Sequence, residues 1–435
     1  MRPPAPWTIL DIDLAAQTGS FDPAIDRPAL VILRHRGAVL GRGMLLPPDP
    51  PLTPEEFASF AGRACGESVA ALLRLGADDR RPGPTHTPLP PDAVTFGAQT
   101  LQRLDTSLSE RRARPIPCTA SVIICTRHRP GHLAGCLEAI APEIAAGREV
   151  IVVDNGPDDA TRSVAEAAGV LYLAEPVAGL SRARNRGIAV ATGEVAVFVD
   201  DDMRPEPGWV DALLRRFDDP AVAAVTGLIL PAALETEAQI GAEHDLGPRG
   251  MDLVPVHFDA GFLEGWPDGA PLWEIGSGAN MAVRRSAAFA IGGFDEHAGP
   301  GSSRGGFEDI DFWHEALCSR HAIRYEPLAV VRRETQETLR DLKRQAYRYE
   351  KWHLTGHFLR YGRTGRRTHL RRAFRIMPRR HAGRMLRAPG RYADGTPDRL
   401  LWSCLRGYMA GLRHVGLMRA APGPVSSLEK MRHGE

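Results

Sequence analysis

The apolar positions between residues 120 and 200 fall in short runs that are separated by longer stretches of mixed polarity. The runs are rich in β-branched residues and predict strands, while the stretches between them have the length of helices. Repeated β-α-β units predict a parallel sheet with helices on both faces, and such sheets bind ligands beyond the carboxyl ends of their strands. The predicted strands are 121–126, 149–154, 170–174 and 194–200, and the predicted helices are 132–146, 160–168 and 180–191.

The part that precedes this pattern has a different organisation. Apolar runs at 29–33 and 39–46 surround the turn residues Arg36-Gly37 and predict a hairpin. The segment Thr53-Pro54-Glu55-Glu56 combines a capping residue, a proline and a glutamate three positions later, which predicts a helix that runs to residue 75. A loop rich in proline and glycine follows at 81–92.

The C-terminal part is dominated by helical patterns. We predict helices at 334–361 and 399–418, with an arginine-rich stretch at 360–391 between them. The predicted organisation is therefore a small N-terminal α/β module, an α/β central domain and a helical, arginine-rich C-terminal region. Their predicted limits are 1–115, 118–333 and 334–435.

Composition narrows the functional classes. With 43% hydrophobic residues, 25% charged residues and a formal net charge of +1, the whole chain is not a nucleic-acid-binding polycation. The six cysteines form no Cys-x-x-Cys pair, so a zinc site or a dithiol motif is not expected. The N-terminus lacks the pattern of a secretory signal, and no stretch approaches the roughly 20 apolar residues that span a bilayer. We therefore expect a cytoplasmic protein.

The last strand of the pattern runs directly into Asp200, Asp201 and Asp202. Carboxylates this close repel each other unless they share a cation. Mg²⁺ or Mn²⁺ prefers oxygen ligands and binds through one or two carboxylates together with phosphates. Asp200 and Asp202 are the candidate ligands of the cation. Asp200 and Asp201 are also candidates for binding the donor molecule, a nucleotide whose diphosphate completes the coordination of the cation. A solvated acidic turn is the alternative for such a cluster taken alone.

Two further strand ends carry candidate binding groups. Asp154 can accept a hydrogen bond from the imide of a base such as uracil, although it can also cap the next helix. The segment 179–187 opens a helix with small residues, and Arg184 and Asn185 there offer donors to phosphate or ribose. A solvated basic helix face explains the same residues equally well.

A glycine loop leads into a helix whose first turn holds Glu308, Asp309 and Asp311. Such carboxylates also interact favourably with a helix dipole. As a functional site, one of them can act as a general base that takes a proton from an acceptor hydroxyl. Asp309 is the candidate base, and Glu308 would help to hold the acceptor.

Taken in order, these motifs resemble the family 2 glycosyltransferases, which have the GT-A fold. The resemblance covers about half of the chain, from residue 120 to about residue 325. The motifs that carry it are Ser121 to Arg127 with Arg129-Pro130, Val152 to Asn155, Gly179 to Gly187, Val199 to Asp202, Gly278 to Arg285, Gly292 to Glu296 and Glu308-Asp309.

The resemblance implies an inverting transfer from a nucleotide-diphosphate sugar to an acceptor hydroxyl, with a divalent cation, Mg²⁺ or Mn²⁺. The acceptor would be a polysaccharide, lipopolysaccharide or glycolipid precursor. The roles implied by position are base and ribose contacts for Thr126, Arg129 and Asp154, a base or diphosphate contact for Arg184, an Asp-x-Asp metal site at Asp200 and Asp202, and the catalytic base at Asp309.

Three other functional classes are alternatives to a glycosyltransferase. The turn at 126–131 lacks the Gly-x-Gly-x-x-Gly of a dinucleotide-binding enzyme, which argues against an oxidoreductase. A nucleotidyltransferase is closer in chemistry, and a catalytically inactive nucleotide-sugar-binding or scaffold protein is the third alternative. The acidic residues at both proposed sites favour an active transferase over both of these.

The arginine-rich stretch also suggests a partner. Arginines there alternate with Phe374, Ile376 and Met377, and a basic amphipathic surface can dock on anionic lipid. Peripheral contact with the inner face of the membrane would suit a lipid-linked acceptor, whereas a solvated or acid-paired surface is the alternative. Nucleic acid is not an expected partner. The arginines are Arg366, Arg367, Arg371, Arg372, Arg375, Arg379 and Arg380.

Overall fold

The structure of the protein is a computed structural model that describes residues 6–15, 27–46, 53–73, 98–243, 253–266, 268–302, 305–335, 338–386 and 399–417. The strands are β1 (Thr8–Asp13), β2 (Ala29–His35), β3 (Ala38–Leu45), β4 (Ala120–Thr126), β5 (Glu149–Asp154), β6 (Leu171–Ala174), β7 (Val195–Asp200), β8 (Met203–Pro205), β9 (Val222–Pro231), β10 (Val256–Phe258), β11 (Asn280–Arg284) and β12 (Ala322–Arg333).

The helices lie between and after these strands. They are α1 (Pro54–Leu73), α2 (Ala98–Ala113), α3 (Pro130–Ala139), α4 (Ala141–Ala145), α5 (Asp159–Ala167), α6 (Leu180–Val190), α7 (Trp209–Leu214), α8 (Glu237–Gly241), α9 (Ala260–Glu264), α10 (Arg285–Ile291), α11 (Glu308–Cys318), α12 (Leu339–Thr364), α13 (Arg367–Arg371), α14 (Met377–Leu386) and α15 (Leu401–Leu417).

The large sheet has the order β10-β12-β9-β11-β7-β4-β5-β6, with β8 paired to β12. The predicted strands β4 to β7 are present and run parallel to one another. The sheet is mixed rather than wholly parallel, because β11 enters antiparallel between β7 and β9. The α/β fold class is confirmed. The prediction of a wholly parallel sheet is wrong for the half of the sheet beyond β7, where β11 runs antiparallel to both of its neighbours.

Both faces of this sheet are covered, which explains why its strands are continuous apolar runs. Side chains alternate along a strand, so Ile123 and Phe198 belong to one apolar layer while Val122 and Val197 belong to the other. The carboxyl ends of β5, β4 and β7 therefore meet at one edge of a rigid sheet.

The helix predicted at 132–146 is divided into α3 and α4 at Ile140. Pro142 explains the break, because proline lacks an N–H and its ring crowds the carbonyl four residues earlier. The other predicted helices of this region match α5 and α6 to within a residue or two.

The N-terminal module contains the predicted hairpin β2-β3, to which β1 adds a parallel strand that the pattern did not predict. The predicted start of α1 is confirmed in detail: the Thr53 hydroxyl accepts from the Glu56 N–H at 3.2 Å, and the Glu56 carboxylate accepts from the Thr53 N–H at 2.8 Å. Helix α2 was not predicted. The predicted loop at 81–92 lies outside the described residues.

This module is joined to the sheet by a shared apolar core and by ion pairs. Trp7 and Leu30 belong to the same buried cluster as the strands of the large sheet. The Arg34 side chain, 10% exposed, donates to Asp11 at 2.6 Å and to Glu206 at 2.8 Å. The division of the chain at about residue 117 stays a prediction.

The C-terminal region is helical, as predicted. Helix α12 starts five residues later than expected, because Thr338 caps it and its hydroxyl accepts from the Asp341 N–H at 3.2 Å. Helix α15 matches its prediction to within two residues. Helical backbone continues from Arg367 to Leu386 although it contains Pro378. A π-helical turn at Arg372–Ile376 directly precedes this proline, and the carbonyl of Ala373 accepts from the Tyr408 hydroxyl at 3.1 Å.

The Arg34 ion pairs generate a stability prediction. Replacing Arg34 with alanine leaves Asp11 and Glu206 with Arg332 as their remaining arginine partner and should lower the free energy of unfolding by about 2 kcal/mol. Urea unfolding followed by circular dichroism measures the effect. The matched control is Arg36→Ala, because Arg36 is exposed and pairs only at the surface. An equal loss of stability in both variants would contradict the proposed role of Arg34.

Candidate active site

The three aspartates that follow β7 differ in their surroundings. Asp201 is buried, and its carboxylate accepts hydrogen bonds from the Thr126 hydroxyl at 2.7 Å and from Arg129 at 2.6 Å. Asp200 and Asp202 remain partly open, with 35% and 24% of their side chains exposed. Asp201 therefore holds Thr126 and Arg129 in place, whereas its two neighbours face the cleft.

Electrostatics separate these carboxylates further. Burial raises the pKa of Asp201 to about 6, although the charge of Arg129 and the hydrogen bond from Thr126 oppose the rise. The pKa of Asp200 is also raised, by burial and by the charge of Asp202, while Arg184 opposes the shift. Ionising Asp200 beside Asp202 is therefore costly, and a shared cation would offset that cost.

The donor set fits a hard divalent cation whose coordination is completed by a substrate. Asp200 and Asp202 offer carboxylate oxygens at the cleft, which are the ligands that Mg²⁺ and Mn²⁺ prefer. Within the described residues, His, Cys, Asp and Glu side chains form no group of three or more that could hold a metal. A cation at Asp200 and Asp202 would thus need phosphate oxygens or water for its remaining positions.

Arg184 connects the aspartate cluster to helix α11. Its side chain is 2% exposed and donates to Glu308 Oε1 at 2.7 Å and to the carbonyl of Gly278 at 3.2 Å. A terminal nitrogen lies 3.6 Å from Asp200 Oδ1, and Phe294 covers the guanidinium at 5.4 Å from the ring centroid. The contact predicted for Arg184, with the base or diphosphate, is therefore taken in this structure by protein carboxylates.

The start of α11 is set by an unusual backbone. Phe307 adopts a φ of 78°, and Gly305 has a φ of 74° and no space for a side chain, because an added Cβ would lie 1.9 Å from Trp352. This turn leads directly into α11, whose first residues are Glu308 and Asp309. Asp309 is half-buried, and its Oδ2 accepts from the Gly278 N–H at 2.9 Å.

Glu308 is enclosed more completely than Asp309. Burial raises the pKa of Glu308 to about 7, with the charge of Asp309 adding to the rise and Arg184 opposing it. Glu308 therefore serves as the partner of Arg184, and Asp309 is the less buried carboxylate of this pair. The sequence predicts that Glu308 helps to hold the acceptor. Because Glu308 is buried against Arg184, it would do so indirectly, by fixing Arg184.

Asp154 lies at the end of β5 and is completely buried. Its Oδ2 accepts from the Tyr172 hydroxyl at 2.9 Å and from the Asp158 N–H at 3.1 Å. Its Oδ1 is buried and has no hydrogen-bond partner among the described residues. An unpaired buried carboxylate oxygen costs free energy, which keeps open the predicted role of Asp154 as an acceptor for a nucleotide base.

Asn185, which the sequence predicts to contact phosphate or ribose, points into the protein interior. It is fully buried, its Nδ2 donates to the carbonyl of Phe294 at 2.9 Å, and its Oδ1 accepts from the Phe294 N–H at 2.9 Å. Both ends of the amide are therefore used inside the protein. Asn185 ties α6 to the segment after α10, and we withdraw the expectation of a phosphate or ribose contact.

Asp200 and Asp202 open into a cleft with a volume of about 480 Å³. One wall comes from the predicted site, including Arg129, and the opposite wall comes from the first half of α12. No α12 residue is predicted at the site from the sequence, because nothing in the local pattern of α12 distinguishes these residues from an ordinary helix face. The α12 residues that line the cleft are Asp341, Gln345 and Tyr349, with Thr338 just before the helix.

Comparison with known proteins matches the central part of the chain. Residues 121–287 match the family described as Glycosyl transferase family 2. The pre-mycofactocin glycosyltransferase of Mycobacterium tuberculosis is 32% identical over 214 residues, which cover 46% of this chain and 41% of that protein. Succinoglycan biosynthesis protein ExoM of Rhizobium meliloti is 31% identical over 49% of this chain and 66% of its own length.

A glucosyl-dolichyl phosphate glucuronosyltransferase of Haloferax volcanii is 24% identical over 46% of this chain and 62% of its own length. The chain spans only about two fifths of the length of the mycobacterial relative. Among solved structures, glucosyl-3-phosphoglycerate synthase from Mycobacterium tuberculosis aligns with a TM-score of 0.39 and 20% identity, over 54% of this chain and 78% of that one.

Mannosyltransferase PcManGT from Pyrobaculum calidifontis aligns with a TM-score of 0.42 and 17% identity, over 84% of this chain and 86% of that one. The ordered motifs, the mixed sheet and the match at residues 121–287 agree with one another. Residues 121–287 of the central domain belong to glycosyl transferase family 2.

Proposed function

We propose that the chain is an inverting, metal-dependent glycosyltransferase that moves a sugar from a nucleotide-diphosphate sugar to an acceptor hydroxyl. The observation that carries this proposal is the bridge made by Arg184, which lies 3.6 Å from Asp200 and 2.7 Å from Glu308. It links the candidate metal ligand Asp200 to the first turn of α11, which carries the candidate base, Asp309. The family membership of residues 121–287 supports the same chemistry.

On the donor side, Asp200 and Asp202 would hold Mg²⁺ or Mn²⁺ together with the diphosphate. The cation would neutralise charge on the leaving diphosphate. Asp154 would accept from the nucleotide base through its free Oδ1. Thr126 and Arg129, fixed by Asp201, would line the base and ribose, and the partly exposed Arg129 can also reach phosphate oxygens.

On the acceptor side, Asp309 would take the proton of the attacking hydroxyl. The Gly278 N–H fixes one of its oxygens at 2.9 Å. The acceptor oxygen would attack the anomeric carbon from the face opposite the diphosphate, so one displacement inverts that centre and needs no covalent intermediate. Glu308 and Arg184 would hold the position of Asp309 and Asp200 without contacting the sugar.

The acceptor is proposed to be a glycan or a lipid-linked sugar. The names of two relatives point in this direction, since one refers to succinoglycan biosynthesis and the other to a glucosyl-dolichyl phosphate. Helix α12 forms one wall of the cleft, and its Tyr349 has 40% of its surface exposed and can stack on a sugar ring. Polysaccharide and glycolipid assembly both fit a cleft with such a wall.

The metal site is tested first by nucleotide binding. We expect Asp202→Asn to weaken Mn²⁺-dependent binding of UDP or GDP by at least about tenfold, because one of two carboxylate ligands is lost. Titration calorimetry with Mn²⁺ and with chelator measures the effect, and Asp159→Asn at the exposed start of α5 is the control. If UDP, GDP and dTDP all fail to bind under either condition, the proposed function is wrong.

The proposed base is tested by turnover. Asp309→Asn keeps an oxygen for the Gly278 N–H but cannot accept a proton, so transfer should fall by about 10²- to 10⁴-fold. Donor affinity should change less than about twofold. Release of nucleoside diphosphate with a panel of glycosides and polyprenyl-linked sugars follows turnover. Wild-type activity in this variant would remove Asp309 from the mechanism.

The pKa of Glu308 gives a pH prediction for the metal-free protein. Its pKa is raised from 4.5 to about 7, so the folded state gains stability from protonated Glu308 below pH 4.5 and loses it as the pH rises through 7. Relative to Glu308→Gln, wild type should lose roughly 1–3 kcal/mol of unfolding free energy across this range. Urea unfolding in chelator checks this, with Glu138→Gln on the exposed face of α3 as control. A constant difference between wild type and Glu308→Gln would contradict the assigned pKa.

A further inference from the structure

The C-terminal helices carry an unbalanced charge. The segments 351–386 and 399–417 contain many arginines and no aspartate or glutamate. Part of this charge is paired with acids elsewhere in the fold, as in the contacts of Arg360 with Asp311 and of Arg380 with Glu350. The exposed arginines that form no ion pair among the described residues are Arg366, Arg367, Arg375, Arg379, Arg406 and Arg413.

The structure corrects the membrane-facing surface that the sequence suggested. Met377 is buried, Ile376 is half-buried, and Arg372 covers the ring of Trp273 at 4.3 Å from its centroid. Of the apolar side chains named from the sequence, Phe374 is the one that is open, with 56% of its surface exposed. The arginine-rich stretch is thus only partly a free surface.

A clearer amphipathic surface lies on α15. Leu401, Cys404 and Tyr408 are buried on its inner side. Four exposed residues follow one another at helical spacing on its outer side: Trp402, Arg406, Met409 and Arg413. Trp402 is 69% exposed and Met409 is 51% exposed, so large apolar side chains and free cations alternate along one line.

The end of α14 adds to the same type of surface. Leu386 is 86% exposed and Met385 is 48% exposed. We call the outer side of α15 the C-terminal basic face, and Phe374, Arg375, Arg379, Met385 and Leu386 are exposed on the helical segment that contacts α15 through His381 and Tyr408. Soluble surfaces usually expose single apolar residues, whereas repeated exposure beside cations indicates a binding surface.

We propose that the C-terminal basic face docks on the surface of an anionic lipid bilayer. Arginines would contact lipid phosphates, and Trp402 and Met409 would enter the region between the head groups and the acyl chains. Among the described residues, the helices are too short or too polar to cross a membrane, so the contact is peripheral.

The side chains of the C-terminal basic face argue against two other partners, a second copy of the chain and a nucleic acid. A second copy of the chain docking through the same face would bring arginines against arginines, because the described part of this face carries no acid. A nucleic acid would pair with the arginines but would leave the aliphatic side chain of Met409 in water. An anionic bilayer matches both kinds of side chain.

Helix α12 relates this face to the cleft. Its first half lines the cleft through Tyr349, and its second half packs in one apolar cluster with α15 through Leu354 and Tyr408. A membrane contact at α15 would therefore hold the cleft at a fixed place relative to the bilayer. The docking proposal does not depend on the proposed sugar transfer, since it rests on exposed side chains alone.

The test is co-sedimentation of the full chain with vesicles. Wild type should bind vesicles that contain phosphatidylglycerol and phosphatidylcholine, should bind phosphatidylcholine vesicles weakly, and should be released between about 0.1 M and about 1 M salt. Equal binding to both lipids, or no binding at low salt, would overturn the proposal, as would binding that salt leaves unchanged.

Two pairs of substitutions separate the apolar and the basic contributions. Trp402→Ala with Met409→Ala should reduce partitioning roughly tenfold. Arg406→Ala with Arg413→Ala should reduce it about fivefold for each arginine. The matched controls are Leu171→Ala, an exposed apolar residue on β6, and Arg63→Ala with Arg103→Ala, exposed arginines of the N-terminal module.

The controls should bind as wild type does. An equal loss in the controls would show an effect of overall charge or hydrophobicity and would contradict a defined face. Size-exclusion chromatography with light scattering is run without lipid on each variant. A dimer of the wild type that Trp402→Ala with Met409→Ala dissociates would assign the face to a second copy and would refute the membrane contact.

Discussion

The buried guanidinium of Arg184 is the interaction on which the site depends. It is enclosed by protein, yet it lies within 2.7 Å of Glu308 and 3.6 Å of Asp200, so it compensates carboxylates from two distant segments. Placing a cation between them allows acids to be concentrated at a strand end without a bound metal. The same contact fixes the distance between β7 and α11, and hence between the candidate metal ligands and the candidate base.

Glycines make this arrangement possible. Gly278 lies so close to Arg184 that an added Cβ would be 2.8 Å from its terminal nitrogen. The backbone at Gly278 can therefore accept from Arg184 and donate to Asp309 at once. Asp201 plays a related role on the other side, because its carboxylate holds Thr126 and Arg129 in place.

The regions outside the family match are built around the central sheet in different ways. The N-terminal module shares its apolar core and adds a row of ion pairs through Arg34 and Arg332. Helix α12 instead closes one side of the cleft. Access to the site is thus shaped by a helix that the family motifs do not include, which is where selectivity for an acceptor would be expected to arise.

Sequence alone determined the parallel strands β4 to β7, the carboxylates at their ends and the order of the motifs, because these depend on local periodicity and on residue types. It could not determine the antiparallel insertion of β11, the burial of Asp201, or the use of Asn185 and Arg184 inside the protein. Those features depend on which segments meet across the sheet. Likewise, the exposed line of Trp402 and Met409 became visible only when tertiary packing decided which side of α15 faces inward.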